Sequence, residues 1–363
     1  MNDLKAFIRF PEILYPHNPY RVPPLFVNEY NNFQKDKNPA FEYCEAKYWL
    51  AYNTNNLVGR IAGIINHLDN KKCQQKLMRF GWIDFYDDLD ISEALLRSVE
   101  DWAKEKGIIA VHGPLGFTDQ DPVGILVEGY EEIATMFTSY NYPYYSKHLE
   151  SLKYKKDIDW LEYEISVPTK PDENIARIAD YAIRRLNLKI LDAKKRKHLL
   201  PYAREAFHLL NASHQHLYGV VPLTERQIDN YINEFIRFIS PDFVPLVLDQ
   251  DNKLVAFGIA IPSLAKALQK AKGRLYPFGI LYLLKALRKN SRAELCLVAV
   301  KPSLQGKGVN AILIHQMNCA FNKWGIQKVE SNPELENNQL IQGQWKYFER
   351  RQHKRLRSYI KYL

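Results

Sequence analysis

Glycine and cysteine are scarce in this chain, with 16 glycines and 4 cysteines among 363 residues. The cysteines (Cys44, Cys73, Cys296, Cys319) are scattered and form no CxxC pair, which argues against a disulfide scaffold and a structural zinc site. No run of about 18 apolar residues offers a membrane span. The opening MNDLKAFIRFPEILYP carries both charge signs and no apolar h-region, so no secretory signal is read there and a cytoplasmic location is expected. The spacings G-x-x-x-x-G-K-[ST] and G-x-G-x-x-G are both missing, so neither a P-loop nor a dinucleotide fingerprint is present. Acidic residues are outnumbered 41 to 50, for a formal net charge of +9. That excess favours an anionic partner: a phosphorylated cofactor, an anionic membrane surface or nucleic acid.

Apolar residues make up 46% of the chain and aromatics 13%, enough for two cores of ordinary size. In the first half, YWLAYNTNNLVGRIAGIIN reads as two strands about the Asn53 to Asn56 turn, and RFGWIDFYD as a third. ISEALLRSVEDWAKEKG places Ala94, Leu95, Val99, Trp102 and Ala103 on one helical face, with Gly107 as a stop. IIAVHGPLGF is the next strand and YYSKHLESLKY a further helix. The second half repeats the order. FVPLVLDQDNKLVAFGIAIPS gives two strands about Asp249 to Lys253, AELCLVAV a strand, and GVNAILIHQMNCAFNKWG a helix. IQKVESN follows as a strand, LENNQLIQGQWKYFER as a helix and HKRLRSYIKYL as a last strand. Pro168 and Pro171 interrupt both patterns near Ser166 to Asp172 and mark the join. The expectation is an α/β fold made by duplication, with halves 1–167 and 168–363.

The stretch VAVKPSLQGKGVNAILIHQ holds the chemistry. A strand runs into a glycine-rich turn and then a helix, whose first N–H groups are unpaired and carry partial positive charge. Gly306 and Gly308 clear the approach and Lys307 adds a cation. This is a phosphate cradle by residue type. In the first half the matching stretch, FYDDLDISEALL, has no glycine. Asp87, Asp88 and Asp90 occupy its helix start, where they complement the dipole and compete with an anion.

V-x-P-x-x-Q-G-K-G-V resembles motif A of the GCN5-related N-acetyltransferase (GNAT) superfamily, whose core reads Q/R-x-x-G-x-G/A. Gln305 and Gly308 match, and Asn310 stands where glycine or alanine is usual. The resemblance implies two tandem GNAT-like domains, each with a mixed, mostly antiparallel sheet flanked by helices. It implies acyl-CoA bound on the second half by Leu297, Val298 and Val300 of the strand, by Gln305, Gly306, Lys307, Gly308, Val309 and Asn310 of the loop, and by Asn338 of the later ENN. No metal is implied. For catalysis it points to Glu294 and Glu330 as bases. The usual tyrosine acid, seven residues after Asn338, falls on Trp345, which leaves Tyr347 as a substitute. FIRFPEILYPHNPYRVPPL, KNPAF, LVGRIAGIIN, HGPLGF, VEGY, YNYPYY and KRLRSYIKYL resemble a bacterial GNAT-like family of similar length. Some of its members are linked to N-acylation of sphingoid amines. The implied activity is acyl transfer from coenzyme A to a primary amine, with a lipid amine as the sharpest suggestion. The alternative is an inactive GNAT-like protein that binds coenzyme A or lipid.

One insertion exceeds what a GNAT hairpin needs. LAKALQKAKGRLYPFGILYLLKALRKNSR, residues 264–292, holds eight basic residues, no acidic one and an apolar centre from Leu275 to Leu287. It reads equally as an interfacial helix on the inner face of an anionic membrane and as a lid over the acceptor site. His214 and His216 lack a third ligand and read as helix or cleft residues. Tyr144 and Tyr145 are candidates to line the acceptor cleft. The basic ending RRQHKRLRSYIKYL fits strand alternation without nucleic acid.

Overall fold

Short polar turns between alternating apolar runs fold the two halves in the same order. The computed structural model describes residues 3–236 and 238–363. In the first half, α1 (Asp3–Leu14) and α2 (Phe26–Asn32) precede the hairpin β1 (Cys44–Asn53) and β2 (Asn56–Asn66). Then come α3 (His67–Cys73), β3 (Leu77–Phe85), α4 (Leu89–Glu105), β4 (Ala110–Gly113), β5 (Ile125–Glu128), α5 (Tyr144–Ser151) and β6 (Lys155–Ser166). The second half opens with α6 (Glu173–Arg185), β7 (Lys189–Ile190), α7 (Leu200–His214) and α8 (Glu225–Phe235), before the hairpin β8 (Leu246–Leu248) and β9 (Leu254–Pro262). It continues through α9 (Ala265–Ala271), α10 (Gly279–Arg288), β10 (Arg292–Val300), α11 (Val309–Trp324), β11 (Lys328–Glu330), β12 (Glu334–Leu335), α12 (Gln339–Gln342) and β13 (Arg350–Tyr362).

The strands form one continuous sheet, ordered β1-β2-β3-β4-β13-β6-β11-β10-β9-β8-β7, with β5 on β13 and β12 on β6. Only two adjacent pairs are parallel, β3 with β4 and β10 with β11. A parallel pair needs a crossover, and α4 and α11 supply it. α4 buries Leu95, Leu96, Val99, Trp102 and Ala103, while Ala94, expected on that face, is exposed. α11 buries Val309, Ile312, Leu313 and Phe321.

The closing strands cross over between the halves. β13, from the end of the chain, pairs with β4 of the first half, whereas β6 pairs with β11 of the second. β6 was not among the strands read from the sequence, nor were α6, α7 and α8 among the helices. Two other expectations are corrected. The strand IIAVHGPLGF stops at Gly113, because Pro114 has no N–H to give a ladder. The helix expected over 335–350 is instead the one-turn α12 followed by a 3-10 turn at Gly343–Tyr347, since Glu334 and Leu335 are held as strand against β6.

Candidate active site

β10 and β11 pair over three positions, from Arg292–Lys328 to Glu294–Glu330, and then part. A bulge between Leu295 and Leu297 re-aims the β10 backbone at Cys296. Two side chains reach the freed edge. Asn332 Nδ2 donates to the Cys296 carbonyl at 2.7 Å, and His214 Nε2 lies 3.1 Å from the Val298 carbonyl. Beyond the bulge the strand is regular and each residue presents its N–H and C=O to the same edge, so the Val298 amide also faces the gap.

The gap opens into a cavity of about 360 Å³ lined mostly by apolar side chains from both halves, within the range of roughly 300–1,000 Å³ typical of ligand sites. Leu295, Cys296, Leu297 and Val298 form one wall, with Asn310 and Leu313 of α11, Asn338, and Trp345. Ala206 and His214 of α7, Tyr231 of α8, and Leu115, Asp119 and Trp160 of the first half stand opposite. Burial holds the His214 ring below its ordinary pKa, so it is neutral. His216 is exposed.

The loop before α11 turns on its two glycines. Gly308 precedes α11 with φ 84°, a left-handed conformation that favours glycine, and a Cβ there would stand 3.2 Å from Ile178 of α6. Gly306, at φ 72°, has open space where a Cβ would be. Gln305 folds back and donates to the Val300 carbonyl (3.1 Å), so it staples the loop to the strand. Val309 and Val300 point into the core; Lys307 is exposed. Open space beside a helix start, a cation and a cavity-facing amide at Asn310 together fit a pyrophosphate group. In the first half Asp88 caps α4 by accepting from Asp90 N (2.9 Å), and Asp87 meets His148 Nε2 at 2.9 Å. There the protein's own carboxylate does what a phosphate would do.

Asp119, Asp121, Glu234 and Glu334 bring carboxyls to the cavity, and Glu334, which the sequence did not single out, is the one beside Trp345. Glu334 follows the end of β11; Trp345 Nε1 donates to its Oε1 at 2.7 Å, while among the described residues its Oε2 has no partner. Burial pushes the Glu334 carboxyl up to about 7, against smaller opposing effects of the Trp345 indole and the Ser331 hydroxyl. Nothing in SNPELENN distinguishes it from a solvated glutamate. Its place follows from β12 pairing with β6, a contact between distant segments.

The other candidates lie elsewhere. Tyr347 is 76% exposed and lies outside the cavity, so it cannot serve as the acid. Glu330 is bound by Arg292 (2.8 Å) and Lys354 (3.4 Å). Glu294 is fully buried beside Ser263, whose hydroxyl donates to it at 2.7 Å, and it does not line the cavity. Tyr145 is core, with its hydroxyl 2.6 Å from that of Tyr15, and Tyr144 donates to the Phe85 carbonyl, so neither lines the cleft. Glu162, Glu330 and His353 bring ligand atoms within 4.8 Å of one another, but the ammonium of Lys354 already sits against both carboxylates.

Glu294 makes a separate prediction. Burial raises its carboxyl to about 7. A raised acid contributes its stability at low pH and loses it as pH rises through the folded value. Glu294→Gln should therefore match wild type near pH 5 and exceed it at pH 8 by about 2 kcal/mol. Chemical denaturation at the two pH values measures this. An equal gap at both would mean that Glu294 keeps an ordinary pKa.

No protein-family model matches the chain. A tandem GNAT protein from the clavulanic acid biosynthesis pathway aligns in structure over 99% of this chain and 96% of its own, with a TM-score of 0.53 and 10% identity. The chain has a tandem GNAT fold. A GCN5-related glucosamine N-acetyltransferase region of a fungal multi-domain GH3 β-N-acetylglucosaminidase gives a TM-score of 0.57 at 12% identity over 99% of the chain, which spans 37% of that protein. In sequence, this chain is 28% identical to Protein YghO of Escherichia coli K12 over 369 residues, covering 99% of this chain and 93% of YghO. It is 26% identical to the bacterial ceramide synthase of Caulobacter vibrioides over 313 residues, 84% of this chain and 79% of that enzyme. Among the described residues no helix is long and apolar enough to cross a membrane.

Proposed function

We propose that the second GNAT half transfers an acyl group from coenzyme A to a primary amine carried on a long apolar chain. One observation carries the reading: the helix-start cradle at Asn310, the bulged edge of β10 and the buried Glu334 border the same largely apolar cavity. The name of the ceramide synthase relative supports a lipid amine as acceptor.

Bound in this site, acyl-coenzyme A supplies an activated thioester and a thiolate leaving group whose ordinary pKa, about 8.5, asks for little assistance. The amides of Gly308, Val309 and Asn310, with Lys307, hold the pyrophosphate. The freed amide of Val298 steadies the charge developing on the acyl carbonyl oxygen. An amine like that of lysine is neutral in only about 1 molecule in 2,500 at pH 7, a handicap of about 4.6 kcal/mol. Glu334 Oε2, free and poised near neutrality, takes the amine proton. Trp345 stands where the family acid is usual and orients Glu334 through its indole N–H. That gives it a use other than protonating the thiolate.

Calorimetric titration with acetyl-CoA and palmitoyl-CoA, paired with thiol release in the presence of amine, tests the reading. Asn310→Asp places a carboxylate in the cradle with almost no change of shape. It should weaken both ligands about 10- to 100-fold, whereas Asn310→Ala changes little. The acyl chain that binds more tightly identifies the donor. Binding without thiol release would leave an inert coenzyme A-binding protein, and no binding would remove the cradle.

A further inference from the structure

Residues 264–292 fold as a helical hairpin with two unlike faces. The inner face is buried: Leu264, Leu268 and Leu283 pack with Val22 and Ala134 of the first half, and Leu264 and Leu283 also line the cavity. Gly279 lets the turn close, because a Cβ there would lie 1.7 Å from the Arg274 carbonyl oxygen. The N-terminal arm fixes the hairpin in place. Gln269 Nε2 donates to the carbonyls of Pro19 (2.8 Å) and Arg21 (3.0 Å), and the Phe26 amide donates to Gly273 (3.0 Å).

Among the described residues the outer face has no protein against it. Tyr276 is 81% exposed, Phe278 63% and Leu281 58%, with Tyr282 and Leu284 also exposed. So tight a group of large apolar side chains on a surface marks an interaction site. The charge around it has one sign. Of the eight basic residues in 264–292, Arg292 pairs with Glu164 and Glu330, and Arg274 lies 3.7 Å from Glu12. Lys266, Lys270, Lys272, Lys285, Arg288 and Lys289 are exposed and, among the described residues, have no ion pair. On β13, by contrast, Arg351, Arg355 and Arg357 pair with Glu132, Glu164, Glu128 and Asp159.

We propose that the hairpin docks the protein on an anionic lipid bilayer. Phe278 and Leu281 insert at the headgroup–acyl boundary while the lysines meet lipid phosphates. An apolar centre ringed by uncompensated lysines matches an interfacial helix. A second copy of the chain on the same face would oppose like charges across a two-fold axis, which disfavours self-association. Because the inner face of the hairpin forms one wall of the cavity, docking also brings the cavity to the lipid from which a long-chain amine would come. That last clause rests on the proposed function; the docking does not.

The test is co-sedimentation of the full chain with vesicles of phosphatidylglycerol and phosphatidylethanolamine, against phosphatidylcholine vesicles. Wild type should bind the anionic vesicles, lose them at high salt, and ignore phosphatidylcholine. Phe278→Ser with Leu281→Ser, and separately Lys285→Glu with Arg288→Glu and Lys289→Glu, should each lower partitioning about tenfold or more. Unchanged circular dichroism and unchanged acyl-CoA titration establish that these variants are folded. Equal binding to both vesicle types, no binding, or binding untouched by either variant overturns the proposal. So does binding of a synthetic polynucleotide, or self-association to a dimer, that these variants abolish while wild type ignores vesicles. Thiol release with a short soluble amine separates the two ideas. If it is absent while vesicle binding behaves as stated, the function fails and the docking stands. If both variants acylate a vesicle-borne amine as fast as wild type, the delivery clause fails.

Discussion

Glu334→Gln should lower kcat about 100- to 1,000-fold, with acyl-CoA affinity unchanged, the size expected when a positioned base is lost. Gln keeps the volume and can still accept from the Trp345 indole N–H, so the pocket should hold its shape. What it cannot do is take a proton on the free Oε2 position. The pH profile is the sharper measurement. With its carboxyl at about 7, Glu334 is competent only when ionised, so kcat at saturating amine should rise about tenfold per pH unit below that point and level above it. In Glu334→Gln the break near neutrality should vanish. Trp345→Phe tests the positioning: the indole bond favours the ionised carboxylate, so without it the break moves to higher pH while acyl-CoA binding is retained. A profile that keeps its break in Glu334→Gln would remove Glu334 from the chemistry, and His214, neutral in the same cavity, would become the next group to substitute.

The features proposed to hold the pyrophosphate are local: strand, turn glycines, cation and helix start fall within a dozen or so residues and so are legible in the sequence. It disclosed the hairpins at Asn53–Asn56 and Asp249–Lys253 for the same reason. It did not disclose Glu334, whose position depends on β12 lying against Leu161 and Trp160 of β6. Tyr347 is a substitute only on a count from Asn338 along a helix that does not form. The role of the basic ending was hidden in the same way. Arg357 meets Asp159, and Arg355 meets Glu128 and Asp159, across nearly 200 residues of chain, a pairing that no window of sequence contains. The insertion is the intermediate case. Its composition showed an apolar centre among lysines, but only the fold separates a cavity-lining face carrying Leu283 from an outer face carrying Phe278.

Lys354→Met should cost about 3–5 kcal/mol of stability, the penalty for leaving buried charge without its partner. Lys354 is 2% exposed and stands on β13, the strand that closes the first half. Its ammonium donates to Glu162 of β6 at 2.7 Å and to Glu330 of β11 at 3.4 Å. Three strands from both halves therefore meet on one charge, at the place where the closing strands cross over. Burial raises the Glu162 carboxyl and Lys354 pulls it down; beside it, burial and the Lys354 charge push the His353 ring down to about 4, so it adds no cation. With Met in place of Lys, Glu162 and Glu330 repel each other in a dry seam. Protonation of Glu162 would relieve this, so the raised carboxyl should return stability as pH falls. The gap to wild type should then narrow between neutral and mildly acidic pH. Adding Glu162→Gln to Lys354→Met should recover a large part of the loss at neutral pH, because it deletes the stranded charge without reopening the volume. Denaturant unfolding of wild type, Lys354→Met, Glu162→Gln and the double variant at two pH values measures all three effects. A loss that neither acid nor the second substitution repairs would assign the cost to packing of the lysine stem, and the two halves would be joined by their strand ladders alone.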